Sequence, residues 1–366
     1  MRNWILLSMM FFELFLMVYC LARKSNHVPA GYLCAFLSLL LLIATGWLLL
    51  FPKVEPIATT GDFQVGHLVD YYTDQQRVET YRNDGKKREL PVAFWYPKNY
   101  SRTQKLPLVL FSHGSFGMKE SNETLFRELA SHGYIVCSID HTYQCFSTRL
   151  SDGKKVRLSG QFMKEVSVDE PKKKPKQSLV NFEKWMTIRT DDLNFVLDTI
   201  LEKSKEGDSA VPIFDSIDRS RICVMGHSLG GSAALGIGRQ RKDIAAVISL
   251  EAPFLCDIRG VDGNGQFIFD QSEYPVPVLN VYSDATWSHL DEWKQYDENV
   301  RLLKMSSSRF QNIHFSGVGH FSLTDLSLTS PFLTMIFDGG NPKEQAQTTL
   351  KKINRACLAF LEEQMK

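Results

Sequence analysis

The hydrophobic and polar positions of this chain fall into three patterns, and each predicts a different kind of element. The first is a pair of long apolar runs. Trp4–Leu21 is almost wholly apolar, interrupted by Glu13 near its middle, and Ala30–Phe51 closes at Phe51-Pro52. Each is long enough to cross about 30 Å of hydrocarbon as a helix, so the pattern predicts a transmembrane hairpin in residues 1–54. Residues 22–28 form a short polar loop carrying Arg23 and Lys24, against Arg2 before the first span and Lys53 after the second. The positive-inside bias puts that loop in the cytoplasm and both ends outside. The expected location is therefore the cell membrane, with two spans and an extracytoplasmic domain. A cleaved signal peptide followed by one anchor is the rival reading, but the first run has no clear small-residue cleavage site. Glu13 must find a partner, a neighbouring chain or a proton, because a charge at mid-span costs about 2.5–3.5 kcal/mol on insertion scales.

The second pattern is short, largely apolar runs, Leu106–Phe111, Tyr134–Ile139, Ile222–Met225, Ala245–Leu250 and Val276–Tyr282, with Phe310–Phe315 as a last, more polar strand. The third is helical spacing. Glu120–Ser131 repeats at Leu125, Leu129 and Ala130. Asn181–Glu206 repeats at Trp185, Ile188, Leu193, Val196, Leu197 and Ile200, and Pro342–Gln364 forms a closing amphipathic helix. Solid strands alternating with such helices predict a mostly parallel sheet covered on both faces. Ahead of it, Gln64–Tyr72 and Arg88–Tyr96 read as a strand pair around a turn containing Asn83-Asp84-Gly85. Residues 142–178 are polar, with Ser151–Lys154 as a hairpin tip and a basic run at Pro171–Lys176. They read as a solvated insertion loop, or as a contact for anionic head groups. The division is a two-helix anchor, 1–54, and one domain, 55–366.

Composition changes this picture little. The 366 residues carry 42 basic and 41 acidic side chains, which gives no electrostatic case for nucleic acid. Of seven cysteines, two lie in the apolar N-terminus. Cys137, Cys145, Cys223, Cys256 and Cys357 show no C-x-x-C spacing, and Cys137 and Cys223 fall inside strand patterns as buried thiols. No H-E-x-x-H or Cys/His cluster calls for a metal, and no cofactor is expected. The oligomeric state is not readable.

The chemistry is concentrated in Gly226-His227-Ser228-Leu229-Gly230, which follows a strand pattern and precedes small, helix-compatible residues. This is the G-x-S-x-G elbow of an α/β-hydrolase fold, with Ser228 as nucleophile at a strained turn. A serine hydroxyl needs a histidine base, and the histidine needs a carboxylate to hold its tautomer. In this architecture the order is Ser, acid, His. His320 fits, in the glycine-bearing loop after the last strand. His227 is locked beside the nucleophile and shapes the elbow, while His113 and His141 precede it. Glu251 and Asp284 each follow a strand, and spacing does not choose between them. Two backbone N–H donors are needed for an oxyanion. One is Leu229, after the nucleophile. The other is Ser115, in Ser112-His113-Gly114-Ser115-Phe116-Gly117 after an earlier strand.

Five stretches in this order resemble the plasma-type, single-chain platelet-activating factor acetylhydrolases and their membrane-anchored bacterial relatives. They are Arg88–Pro97, Val109–Gly114, Ala130–Val136, Gly226–Gly231 and Gly319–Leu326. The resemblance spans about residues 61–335. It implies metal-free hydrolysis of short or oxidised sn-2 acyl groups of phospholipids. It also implies that the triad acid sits in a Leu-Asp-Ala setting, occupied here by Leu250-Glu251-Ala252, which favours Glu251 over Asp284. Glutamate for aspartate is a departure, and the loop must retreat by about one methylene. The expected function is a membrane-anchored serine esterase. The alternatives are a carboxylesterase, thioesterase or acyltransferase on soluble acyl esters, and a catalytically silent membrane binding protein.

Overall fold

The structure is a computed structural model that describes residues 2–22, 28–101, 103–206, 213–305 and 307–365. Two helices, α1 (Arg2–Ala22) and α2 (Val28–Leu50), pack side by side. Both are long and apolar enough to cross a membrane. Little of their apolar surface is covered by protein: Phe11 is 72% exposed and Ile43 60%. Glu13 is buried between them, where Thr45 Oγ1 donates to its Oε1 at 2.9 Å. The connecting loop, with Arg23 and Lys24, lies outside the described residues.

The chain then enters an eight-stranded sheet. Strands β1 (Val65–Val78) and β2 (Lys87–Pro97) form an antiparallel pair, followed by β3 (Leu106–Ser112), helix α3 (Glu123–Ser131) and β4 (Ile135–Ile139). A hairpin, β5 (Ser147–Arg149) and β6 (Lys155–Arg157), leads to α4 (Gly160–Ser167) and the long α5 (Pro175–Glu206). Next come β7 (Ile217–His227), α6 (Leu229–Gln240) and β8 (Ala246–Leu250). A second hairpin, β9 (Ile258–Val261) and β10 (Phe267–Phe269), precedes β11 (Val278–Ser283). The chain closes with α7 (Asp284–Trp287), α8 (Asp297–Lys304), β12 (Phe310–Phe315), α9 (Leu326–Thr329), α10 (Pro331–Phe337) and α11 (Ala346–Gln364). The sheet order is β1-β2-β4-β3-β7-β8-β11-β12, parallel from β4 to β12.

Each central strand alternates between two cores. Leu108 and Leu110 pack with Leu193, Val196 and Leu197 of α5 and with Ile237 of α6. Val109 and Phe111 pack on the other face with Phe126 and Leu129 of α3 and Ile353 of α11. The chain leaves β3 for β4 on one side and returns as β7 on the other, so β3 and β7 flank a topological switch point. Register brings their C-terminal ends level: Ser112 and Ser249 both pair with Gly226.

The expected loop at 142–178 is a correction. The tip at Ser151–Lys154 joins β5 and β6, and α4 buries Phe162 edge-on against Trp185. Pro175 opens α5 six residues early, because proline at a helix start gives up an N–H that has no intrahelical partner. The linker to the membrane helices also lies on the domain. Thr60 and Phe63 donate backbone N–H bonds to Glu128 and Ser131 of α3. Ser330 Oγ, just before α10, donates to the carbonyl of Leu50 at the end of α2.

Candidate active site

Ser228 sits between β7 and α6 with φ 53° and ψ −126°. A non-glycine residue held there costs of order 1–3 kcal/mol, and its surroundings must enforce it. They do so by close approach. A Cβ on Gly226 would fall 2.3 Å from the carbonyl of Gly230, and one on Gly230 would fall 2.0 Å from the carbonyl oxygen of Ser112. Ser228 N donates to Leu250 O at 2.9 Å, and Ser232 N returns to Ser228 O at 3.1 Å to begin the helix.

His320 lies in the loop after β12. Its Nδ1 is 3.2 Å from Glu251 Oε2. Glu251 is buried at the end of β8, also with positive φ, 58°. Its Oε1 accepts from Ser283 Oγ at 2.6 Å and Thr286 N at 3.0 Å. Burial alone would raise this carboxyl, but His320, Ser283 and Thr286 draw its pKa down to about 2. Burial opposes a charge on His320, yet Glu251, with Asp338 behind it, lifts the imidazole above its ordinary pKa. Asp284 lies elsewhere: its carboxylate pairs with His314 Nε2 at 2.8 Å and accepts from Gly317 N at 2.8 Å. The two candidate acids thus face different histidines.

Two further residues shape this corner. His227 Nε2 is 3.1 Å from the carbonyl of His320, and the two rings are 4.5 Å apart. A carbonyl only accepts, so Nε2 carries the proton. Burial, with His320 alongside, pushes this imidazole down to about 3 and keeps it neutral. Asp338, after α10, accepts from the N–H groups of Phe321 at 2.8 Å and Ser322 at 3.1 Å, which holds the loop bearing His320. Sequence reasoning missed Asp338. Its partners are backbone groups, which leave no pattern.

Leu229 is the first residue of α6, so its N–H has no intrahelical partner. Ser115 stands in a turn closed by Gly117 N on Gly114 O at 3.1 Å, leaving the Ser115 N–H unused by that turn. The turn lies against the elbow: a Cβ on Gly114 would be 3.2 Å from Ser228 Cβ. Phe254, three residues after Glu251, is core, edge-on to Tyr274. Phe321 is half-buried and packs edge-on to His320, 5.3 Å between centroids. Among the described residues, no three His, Cys, Asp or Glu side chains are grouped to hold a metal ion.

A strained serine at a helix start, on the C-terminal edge of a mostly parallel sheet at its switch point, defines the α/β-hydrolase class. A solved ferulic acid esterase from Streptomyces cinnamoneus shares the fold, with a TM-score of 0.62 at 21% identity over 84% of this chain and 92% of that one. The chain belongs to the family described as platelet-activating factor acetylhydrolase, isoform II, whose model matches residues 88–366. Proteins named platelet-activating factor acetylhydrolase are similar to it. The one from Gallus gallus is 25% identical over 72% of this chain and 63% of its own length, and the one from Canis lupus familiaris 24% over 72% and 58%. The chain therefore spans less than two thirds of these relatives. Cutinase est1 of Thermobifida alba is 28% identical over 39% of this chain and 33% of its own.

Proposed function

We propose that this chain is a membrane-anchored serine esterase that removes short acyl groups from the sn-2 position of phospholipids. The observation that carries the esterase reading is the buried Glu251 carboxylate beside His320, whose loop His227 ties to the elbow. Ser228 Oγ attacks the ester carbonyl and His320 takes its proton. Glu251 holds Nδ1–H toward itself, leaving Nε2 as the base. The oxyanion is received by the N–H groups of Leu229 and Ser115. His320 returns the proton to the leaving alcohol, and water releases the acyl group by the same steps. The relatives named acetylhydrolase and cutinase support an ester substrate.

The lipid reading draws on a strip of apolar side chains. Phe321 packs on His320, and Phe337 of α10 packs on Phe321 at 5.2 Å. Ile336 and Phe337 are 53% and 55% exposed on α10, a helix that packs on α2. A bilayer holding α1 and α2 would meet this strip, which leads toward His320.

The test is an acyl series on the full chain in detergent. The sn-2 group is varied from acetyl to long chain on one phospholipid, with Ser228→Ala alongside. The expected result is activity that falls steeply with chain length and is abolished in Ser228→Ala. Turnover in Ser228→Ala would remove the nucleophile. Activity confined to soluble esters would keep the triad and discard the phospholipid, which is the reading the cutinase likeness favours.

A further inference from the structure

Behind the elbow lies a second serine–histidine–aspartate chain. Ser112 Oγ is 2.8 Å from His141 Nε2, and His141 Nδ1 is 2.8 Å from Asp192 Oδ2. All three are fully buried. Ser112 is also paired on both sides within β3, to Ile139 and Gly226. With no access for a substrate, this is not a second reaction centre, so its cost must be offset in another way.

The network converges on the loop that supplies Ser115. Asp192 is clamped by Arg88, whose Nε and Nη2 each donate at 2.6 Å, and by Arg77 Nη1 at 2.9 Å. One turn earlier on α5, Arg189 is fully buried as well. Its Nη1 donates to the carbonyl of His113 and lies 3.4 Å from Ser112 Oγ, and its Nε donates to Gln144 Oε1 at 2.9 Å. Gln144 in turn accepts from Phe116 N with its own carbonyl, at 3.3 Å. A peptide unit is planar, so fixing one carbonyl fixes the N–H across the bond. Arg189 sets the plane joining His113 to Gly114. His113 Nδ1 then holds the carbonyl of Gly114 at 2.7 Å, which sets the plane carrying the Ser115 N–H. The His113 ring is itself held by His141 N on Nε2, at 3.3 Å.

We infer that Arg189, braced by the buried Asp192–His141–Ser112 chain, is a positioning residue that aims the Ser115 N–H at the reacting carbonyl oxygen. The inference rests on the esterase reading above. Arg189 touches no substrate. It acts through two successive peptide planes.

The experiment compares Arg189→Met, Arg189→Lys and Ser112→Ala with the full-length parent in detergent. Each is assayed on 4-nitrophenyl acetate and on its thionoester, in which sulfur replaces the carbonyl oxygen, with Tm recorded. Misdirecting one oxyanion donor costs about 10²-fold in rate, and sulfur accepts such bonds poorly. The expected result for Arg189→Met is a kcat lower by about 30-fold or more, KM nearly unchanged, and a collapsed preference for the oxygen ester. Arg189→Lys recovers part of both. If Arg189→Met does not fold, Ser112→Ala carries the same comparison with a smaller loss. An unchanged oxygen-to-sulfur preference in a folded variant overturns the inference, whatever happens to kcat. Turnover by Ser228→Ala would instead overturn the esterase reading, so the two failures are separable.

Discussion

Glu251 holds its charge at a buried site only because His320, Ser283 and Thr286 share it. Removing that charge has two opposite effects on the proposed reaction. The tautomer of His320 is no longer enforced, so Glu251→Gln should lower kcat by about 10³–10⁴-fold. The imidazole also loses the partner that raises its pKa. The base must be neutral to act, so the acid limb of kcat/KM, expected above pH 6.5 in the parent, should move to lower pH in Glu251→Gln. A pH–rate profile checks both effects. Asp284→Asn should leave rate and limb in place. Ser228, His320, Leu229 and Ser115 could be nominated for their proposed roles from sequence, because motif, chain order and strand ends name them. Spacing left the acid open, since Glu251 and Asp284 both follow strands, and only the resemblance favoured Glu251. The deciding fact is tertiary: Asp284 lies at the end of β11, beside His314 on β12, whereas the His320 loop folds back to the end of β8. Arg189 and Asp192 did leave a signal, because both fall on the apolar stripe of α5 between Trp185 and Val196. A charge on a buried stripe demands a partner.

At the scale of elements, α10 is the informative piece. It is only seven residues long, yet it packs on α2 and exposes Ile336 and Phe337 while Asp338 behind it braces the His320 loop. Ile336→Ser with Phe337→Ser should reduce hydrolysis of phospholipid vesicles by about 10-fold and leave hydrolysis of a soluble ester within about twofold. Equal losses on both substrates would show that α10 merely supports the fold. The apolar runs of β3, β4 and β8 announced themselves, as did α3, α5 and α11 through their spacing. Apart from the hairpin tip at Ser151–Lys154, the short elements did not. β5–β6, β9–β10 and α7–α10 are three to eight residues each, too short for periodicity to rise above chance. They hold their shape through anchors such as Phe162 and through loop hydrogen bonds.

For the whole molecule, the main consequence concerns acid. His113, His141 and His227 are buried neutral, with pKa values well below the ordinary 6.5; burial and Arg189 bring His141 to about 4. Unfolding lets each bind a proton that the fold excludes. Each therefore contributes stability above pH 6.5 that is lost as pH falls toward its folded pKa, at about 1.4 kcal/mol per pH unit. His320 is shifted the other way, so its contribution is complete below pH 6.5, whereas burial raises the Asp325 carboxyl to about 7, and its uptake of a proton in the fold as pH falls offsets one of the three. With two of the three histidine contributions uncompensated, the Tm should fall progressively from pH 7 to pH 4.5. A flat Tm across that window would contradict the neutral histidines.

The linker from α2 does not hang free. Thr60 and Phe63 bond to α3, and Ser330 bonds to the last turn of α2. On the proposed anchoring, the domain rides at a fixed height and tilt above the lipid, and its encounters with substrate take place in two dimensions. What such an enzyme senses is the mole fraction of cleavable lipid in its own leaflet, not the amount in the surrounding volume. Diluting that lipid with an inert one would slow it even at constant total substrate.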